Sequence, residues 1–425
     1  MEKKVCIIGA GSSGIAAAKT FFQSNIPFDC FEKGSKIGGN WLYGNDNGMS
    51  SSYYSLHINT SKQMMAFSDF PMPDSYPDYP NHELVFQYFE AYMDKFGFRN
   101  KISFNTTVER VEKIDENKYV VYTNKFPPKE YTDVIVANGH HWSPKWATFD
   151  GEFSGKISHS HYYKTYSGFE NKRVLIVGIG NSAVDIACEL TTVATSVTVS
   201  TRSGAYILPK YLFGKPTDHL TKPPLAFAPI FLQRLALNIA LRLNVGKQSN
   251  YGMPIPNRSL LKEHPTISQE FLNKVGHGKI KIKPNIKKLM GEEIEFTDGS
   301  KVAFDHIIFS TGYKIEFPFF DKNLFNVEHN ILNLYEYVVP VEHKGLYFIG
   351  FIQPIGAVMP LAEMQSVWIS KVIEGSKNLP GSDSMKHWIE NNQRKMKTRY
   401  GNALRHTLEV DFFPYKRNLK KLAGL

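Results

Sequence analysis

The chain has 425 residues, 42% hydrophobic and 21% charged, with a formal net charge of +10. That length carries two or three domains with cores of their own, and the balance excludes a disordered, collagen-like or membrane-embedded chain. Three cysteines, Cys6, Cys30 and Cys188, form no Cys-x-x-Cys pair. They exclude a disulfide scaffold and a dithiol redox centre, and read as small core residues in a reducing cytosol.

The first strand opens near residue 4, which is expected to leave no room for a leader segment. The apolar run Val5 to Ile8 enters Gly9-Ala10-Gly11-Ser12-Ser13-Gly14 and continues as a helical stretch, Ile15 to Phe22. A strand, a glycine turn and a helix in that order form a cradle for a pyrophosphate. Gly9 permits the turn, Gly11 lets backbone approach phosphate, Gly14 lets helix pack on strand, and the helix N-terminus meets the anion. The next strand, Phe28 to Phe31, ends in Glu32, 23 positions past Gly9. A carboxylate there accepts hydrogen bonds from both ribose hydroxyls of an unphosphorylated adenosine, as in FAD or NAD.

Further along, Asn81 to Phe96 reads as an amphipathic helix with Val85, Phe89, Tyr92 and Phe96 on one face. Tyr119 to Thr123 suggests a small antiparallel sheet, and Asp133 to Gly139 a strand returning to the first nucleotide sheet. The second fingerprint follows: Val174 to Val177, then Gly178-Ile179-Gly180-Asn181-Ser182-Ala183, then the helical run Val184 to Leu190. Its second strand, Val197 to Ser200, ends in Thr201 and Arg202, 24 positions past Gly178, with no acid. A guanidinium there suits a 2'-phosphate, hence NADPH.

Leu225 to Val245 is apolar but interrupted by Gln233, Arg234, Asn238, Arg242 and Asn244. It reads as an amphipathic helix and not a membrane span; its stripe Leu235, Ile239 and Leu243 is expected in the core, with a partner or membrane-surface role as the alternative. Asp305 to Gly312 is a second return strand, and Thr311 and Gly312 end it where ligand crevices form beyond the carboxyl edge of such sheets. Phe149 to Gly155 and Lys283 to Gly299 read as domain crossings. From Arg394 to Leu425 nine Lys or Arg stand against Glu409 and Asp411, a solvated face or a patch attracting anionic cofactors. The expected fold class is α/β with two Rossmann-like dinucleotide-binding domains, FAD and NADPH, the second inserted into the first. Residues 1–160 and 300–425 are assigned to the FAD domain and 161–299 to the NADPH domain.

Between the fingerprints, Phe153, Gly155, His159 and Tyr163 match the Phe-x-Gly-x-x-x-His-x-x-x-Phe/Tyr signature of the flavin-containing monooxygenases. Gly38-Gly39-Asn40-Trp41, Asn59 to Met65, Ser68 to Pro71, Phe309 to Tyr313 and Arg405 to Asp411 extend the match, so nearly the whole chain resembles that family. The resemblance implies FAD, NADPH and molecular oxygen, and insertion of one oxygen atom into a soft amine nitrogen or sulfide sulfur through a flavin C4a-hydroperoxide. It implies that Asn59 lies against flavin and nicotinamide as the catalytic amide. Flavin contacts are expected from Lys33, Gly39, Asn40, Trp41, His57, Thr60, Val108 and Gln353, with Ser12, Ser13, Thr311 and Gly312. Asn181, Ser182, Ala183, Thr201 and Arg202 are expected on NADPH.

Baeyer-Villiger relatives usually place Trp where Tyr163 stands, which favours heteroatom over ketone oxidation. A Baeyer-Villiger enzyme and a peroxide-releasing NADPH oxidase or redox sensor are the alternatives. His159 reads as fixing the linker between the domains. The pairs His140-His141 and His159-His161 lack a third ligand, so no metal is expected. A cytoplasmic enzyme, a small-molecule substrate, no nucleic acid and a homodimer complete the expectation.

Overall fold

The computed structural model describes residues 3–262, 265–400 and 407–425. They divide into two compact units. One comprises Met1–Ser50, Thr60–Ser143 and Lys314–Leu425; the other comprises Ser51–Asn59 and Pro144–Tyr313.

The first unit is built on a five-stranded sheet. Its order is Leu346–Phe348, Asp133–Val136, Val5–Ile8, Phe28–Phe31, Ile102–Ser103, and all neighbours run parallel. Val5–Ile8 is buried at every position, as a strand covered on both faces must be. The helices Ser12–Gln23 and Met359–Ile373 bury most of their residues in this unit. Residues 81–96 form the expected helix, His82–Phe96. The Asn81 side chain accepts from the Leu84 N–H at its start, and Gly97 ends it in the left-handed region at φ +74°. Phe67 stacks on Tyr92 at a ring separation of 4.3 Å, and Phe70 on Tyr88 at 5.2 Å. The small antiparallel sheet also forms, from Val108–Asp115, Lys118–Thr123 and Lys129–Tyr131.

The second unit carries its own parallel sheet, ordered Lys156–His159, His306–Phe309, Arg173–Val177, Ser196–Ser200, Ile280–Lys283. Beside it lies a four-stranded sheet of Lys301–Ala303, Glu293–Phe296, Ile286–Gly291 and Asp150–Phe153. The boundaries therefore depart from 160 and 300. Phe149 to Gly155 and Lys283 to Gly299 are paired strands of this second sheet, and the crossings fall at Ser143/Pro144 and Tyr313/Lys314. The physical reason is symmetry between the fingerprints. Each first strand needs its own return strand: Asp133–Val136 beside Val5–Ile8, and His306–Phe309 beside Arg173–Val177. Asp305 fixes the latter, its carboxylate accepting from the Arg173 N–H at 2.7 Å and from its guanidinium at 2.6 Å. Those bonds hold the Asp305 carboxyl down at about 2.

A second correction concerns the helix Ile230–Asn244. Leu237 and Leu241 face inward, whereas Leu235, Ile239 and Leu243, expected in the core, are 55%, 51% and 74% exposed. Among the described residues no helix is long and apolar enough to cross a membrane. Cys6 and Cys30 lie buried in strands and Cys188 in a helix, and burial pushes their thiols up. Arg405 and His406 lie outside the described residues.

Two histidines in the parallel sheet of the second unit give a pH prediction. His159 and His306 are buried, and desolvation lowers both to about 4. The unfolded chain titrates near 6.5, so between about 6.5 and 4 it takes up protons that the folded chain refuses. Stability therefore falls as pH falls through that window, by up to about 2 kcal/mol per histidine at pH 5. His306→Gln is expected to shrink the drop in melting temperature between neutral pH and pH 5; an unchanged drop would remove His306 as its source.

Candidate functional site

At the first fingerprint the turn residue Gly9 sits at φ +99°, and a Cβ there would lie 2.8 Å from the Ala137 carbonyl. Only glycine passes between the two strands. A Cβ on Gly14 would lie 1.9 Å from the Gly9 carbonyl, so the helix packs on the strand with no room for a methyl. The first intrahelical bond runs from the Ile15 N–H to the Gly11 carbonyl at 3.0 Å. The N–H groups ahead of it, including those of Ser12 and Ser13, are those a helix offers to an anion.

Glu32 stands beside this turn, 3% exposed. One carboxylate oxygen accepts from the Ala10 N–H at 2.7 Å; the other accepts from the Gly34 N–H at 2.8 Å and the Asn47 amide at 3.1 Å. A carboxylate has about four lone-pair sites, so acceptor capacity remains for a ribose. Gly39, Asn40 and Trp41 form a single half-buried turn, tied to the fingerprint by the Gly38 N–H donating to the Ala10 carbonyl at 3.1 Å. Gly350 was not among the residues singled out from sequence; a Cβ there would lie 2.0 Å from the Ser13 hydroxyl. Its signal was the glycine ending Leu346–Phe348, placed as Gly139 is after Asp133–Val136.

Other expected residues gather less closely. Lys33 is exposed, and Val108 is buried among Ile8, Phe31 and Phe348. Gln353 donates its N–H to the Leu408 carbonyl at 2.7 Å, in a strand paired with Glu409–Asp411. Thr60 is half-buried in the first unit, while Thr311 and Gly312 end the return strand of the second, where the Thr311 hydroxyl donates to the Lys145 carbonyl.

The second fingerprint repeats the first with altered ends. Gly178 has φ +126°, and a Cβ there would fall 2.4 Å from the Ser310 carbonyl. A Cβ on Gly180 would meet no protein atom within 4 Å. Open space over the middle glycine, with Val184 N–H to Gly180 carbonyl as the first helical bond at 3.1 Å, leaves the N–H groups ahead of it free of intrahelical partners, as an anion site requires. Ala183 is fully buried against the sheet, and the Asn181 side chain accepts from the Ile267 N–H at 2.7 Å. Thr201 is buried, its N–H donating to the Lys283 carbonyl at 3.0 Å, and Arg202 is exposed beyond it. Ser182 opens the helix, half-buried. Both cradles thus have the build of a dinucleotide site, with the acid Glu32 after the second strand of one and the cation Arg202 after that of the other.

The helix Asn181–Leu190 also carries the segment Ser51–Asn59 within the second unit. The Tyr53 hydroxyl donates to Asp185 at 2.7 Å, the Ser55 hydroxyl to Glu189 at 2.7 Å, and the Lys210 ammonium to the Ile58 carbonyl at 3.1 Å. Burial raises Asp185 above the ordinary carboxylate range and lowers Lys210 below the ordinary lysine range. The segment ends at Asn59, whose Oδ1 is buried and accepts no hydrogen bond from the protein. His57 is exposed, its Nδ1 2.9 Å from the Ser55 carbonyl. Only the carboxylates' i, i+4 spacing on a fingerprint helix hinted at this arrangement.

The Phe153 to Tyr163 signature is local to this unit. Gly155 passes under the Asp305 carbonyl, where a Cβ would come within 2.5 Å; His159 Nδ1 accepts from the His161 N–H at 3.1 Å; and the Tyr163 hydroxyl donates to Glu189 at 2.9 Å. Its spacing follows from one short strand, Lys156–His159, buried only at His159, and the turn after it.

Arg202 has a direct test. A charge-assisted contact with a 2'-phosphate is worth about 1.5 to 3 kcal/mol, a factor of roughly ten or more. Steady-state kinetics of Arg202→Ala are expected to raise the Michaelis constant for NADPH at least that much and leave that for NADH nearly unchanged. Equal effects would defeat the assignment.

The chain matches the family model "Flavin-binding monooxygenase-like" over residues 2–425. It is 35% identical to flavin-containing monooxygenase 5 of Rattus norvegicus over 448 aligned positions, spanning 100% of this chain and 83% of the relative. It is 34% identical to flavin-containing monooxygenase 2 of Homo sapiens, spanning 98% and 81%. Among solved structures, S-allyl-L-cysteine S-oxygenase from Allium sativum superposes at a TM-score of 0.75 with 25% identity, covering 99% of this chain and 88% of that one. A cyclohexanone monooxygenase shares the fold at a TM-score of 0.72 and 15% identity, covering 99% and 98%. With two nucleotide cradles built into a match of that extent, the chain belongs to the flavin-binding monooxygenase-like family and is a flavin-dependent oxidoreductase using FAD and NADPH.

Proposed function

We propose that the protein oxygenates a soft nucleophile, an amine nitrogen or a thioether sulfur, at the expense of NADPH and molecular oxygen. One oxygen atom goes to the substrate, the other leaves as water, and NADPH supplies the two electrons. Flavin, when bound, supplies the hydride and oxygen chemistry. The chain's own task is to bind, orient and keep water away. The first cradle with Glu32 would hold the flavin nucleotide; the second, with Thr201 and Arg202, would hold NADPH.

The observation that carries this reading is the charge difference between cradles of the same build: buried Glu32 after one, exposed Arg202 after the other. Two hydride carriers on one chain have a use only if electrons pass between them. That the substrate is the nucleophile explains why no serine, cysteine or metal centre is required, and among the described residues no group of acids, histidines and cysteines could hold a metal ion. The S-oxygenase neighbour and the N-oxide-forming relatives support nitrogen and sulfur as targets.

The test is an aerobic assay of the holoenzyme with NADPH and, in turn, a tertiary amine, a thioether and a cyclic ketone, with product mass and peroxide both measured. An N-oxide or S-oxide carrying one added oxygen, near one per NADPH, is the expected result. Lactone as the only product would establish the Baeyer-Villiger alternative, and peroxide alone the oxidase.

A further inference from the structure

A phosphomonoester such as a 2'-phosphate carries about 1.5 to 2 negative charges at neutral pH, and a single guanidinium balances one of them. At the end of Ser196–Ser200 the chain offers Thr201, which is buried with its N–H donating to the Lys283 carbonyl, and then Arg202. A pocket that separates NADPH from NADH gains from a second cation on the same side as Arg202.

The second unit supplies one by folding back on itself. The Asn257 N–H donates to the Ser203 carbonyl at 3.3 Å. A Cβ on Gly204 would lie 3.1 Å from the Pro254 carbonyl and 3.5 Å from the Pro256 Cα, on a backbone at φ +63°. Glycine therefore lets the two segments close up here. Ser203 faces Asn257 and Gly204 faces Pro256, so the segments run antiparallel, and the next step outward sets Arg258 opposite Arg202. Side chains directly opposite in an antiparallel pair stand on the same face, with Cβ atoms about 4.5 to 5.5 Å apart.

The segment that carries Arg258 is fixed at both ends. Met253 and Leu260 are buried, the Arg234 Nε donates to the Leu260 carbonyl at 2.9 Å, and Pro254 and Pro256 lock two of the intervening φ angles. Arg202 is exposed and Arg258 half-buried. The surrounding charge favours an anion, because Asp218 is the single acid between Glu189 and Glu263 in the sequence.

We infer, on the reading that the second cradle holds NADPH, that Arg258 is a second specificity-determining residue and forms with Arg202 a clamp on the 2'-phosphate. Two guanidinium forks balance the dianion and hold it from two segments of the fold, whereas NADH offers them only a ribose hydroxyl.

The FAD-loaded enzyme is titrated by calorimetry with adenosine 2',5'-bisphosphate and with adenosine 5'-monophosphate, and Michaelis constants for NADPH and NADH are measured on the same preparations. Arg258→Ala is expected to weaken the bisphosphate about ten-fold or more and to raise the Michaelis constant for NADPH in step, with the monophosphate and NADH nearly unaffected. Arg258→Lys keeps the charge and loses the fork, and is expected to fall between Arg258→Ala and the parent. Parent-like bisphosphate binding in both Arg258 variants, alongside its loss in Arg202→Ala, would overturn the clamp and leave the NADPH assignment standing. Parent-like binding in Arg202→Ala and Arg258→Ala alike would remove the assignment and the clamp together. Equal weakening of bisphosphate and monophosphate by Arg258→Ala would also overturn the clamp, since the monophosphate has no 2'-phosphate to lose.

Discussion

Gly180→Ala is expected to fold and to lose NADPH, whereas Gly178→Ala is expected to lose the fold of the second unit. The two glycines are two positions apart and face opposite things. A Cβ on Gly178 would lie 2.4 Å from the Ser310 carbonyl, on a backbone at φ +126°. Strain of about 1 to 3 kcal/mol at such an angle adds to an overpacking cost of similar size. The sum is a large fraction of the roughly 5 to 15 kcal/mol that holds a domain together. At Gly180 the backbone is extended, φ −78° and ψ 178°, and an added Cβ meets no protein atom within 4 Å. The methyl therefore costs the free protein little and intrudes only on the pyrophosphate. One misplaced methyl group is worth about 1 to 3 kcal/mol in a fitted pocket, or roughly ten-fold to over a hundred-fold in NADPH affinity. Thermal melting and NADPH titration of both variants check this. Normal NADPH binding by Gly180→Ala would show that nucleotide does not lie over that turn.

Asn59→Ala is expected to keep FAD and NADPH and to waste the electrons. The Asn59 Oδ1 is buried without a protein donor, a situation that costs about 1 to 3 kcal/mol unless a ligand supplies one. The protein holds it there deliberately. Lys210 grips the preceding carbonyl, while Tyr53 and Ser55 tie the segment to Asp185 and Glu189 on the helix of the second fingerprint. An acceptor so placed can fix the amide of a nicotinamide and keep water from the reacting centre. Without it, NADPH consumption should continue while peroxide rises from a minor share to the greater part of the electrons, a change of roughly ten-fold or more in the ratio of peroxide to product. Peroxide and product measured together per NADPH consumed decide the matter, and unchanged coupling would remove Asn59 from the mechanism.

Most of the frame was legible because glycine turns and nucleotide ends are local. The turns at Gly9 and Gly178 and the close helix packing at Gly14 belong to short motifs, and Glu32 and Arg202 stand at a fixed distance from them along the chain, which a sequence displays directly. The domain boundaries were less legible because strand pairing is not local. Asp305 to Gly312 looks like Asp133 to Gly139, and nothing in either run says which sheet it joins; that is settled by the pairing of His306–Phe309 with Arg173–Val177. The stripe on Ile230–Asn244 was assigned to the core because periodicity reports amphipathicity without reporting which apolar side chains find neighbours. Leu237 and Leu241 found them. The anchoring of Ser51–Asn59 was invisible for a related reason, since Tyr53 and Asp185 are 132 residues apart.

The central claim is that the two cradles hold different nucleotides, chosen by Glu32 and Arg202. A crystal structure of the enzyme with FAD and NADP+ bound tests it most directly. The account predicts the FAD ribose hydroxyls on the Glu32 carboxylate and the 2'-phosphate of NADP+ on the Arg202 guanidinium. The nucleotides exchanged between cradles, or the 2'-phosphate turned away from Arg202, would contradict it.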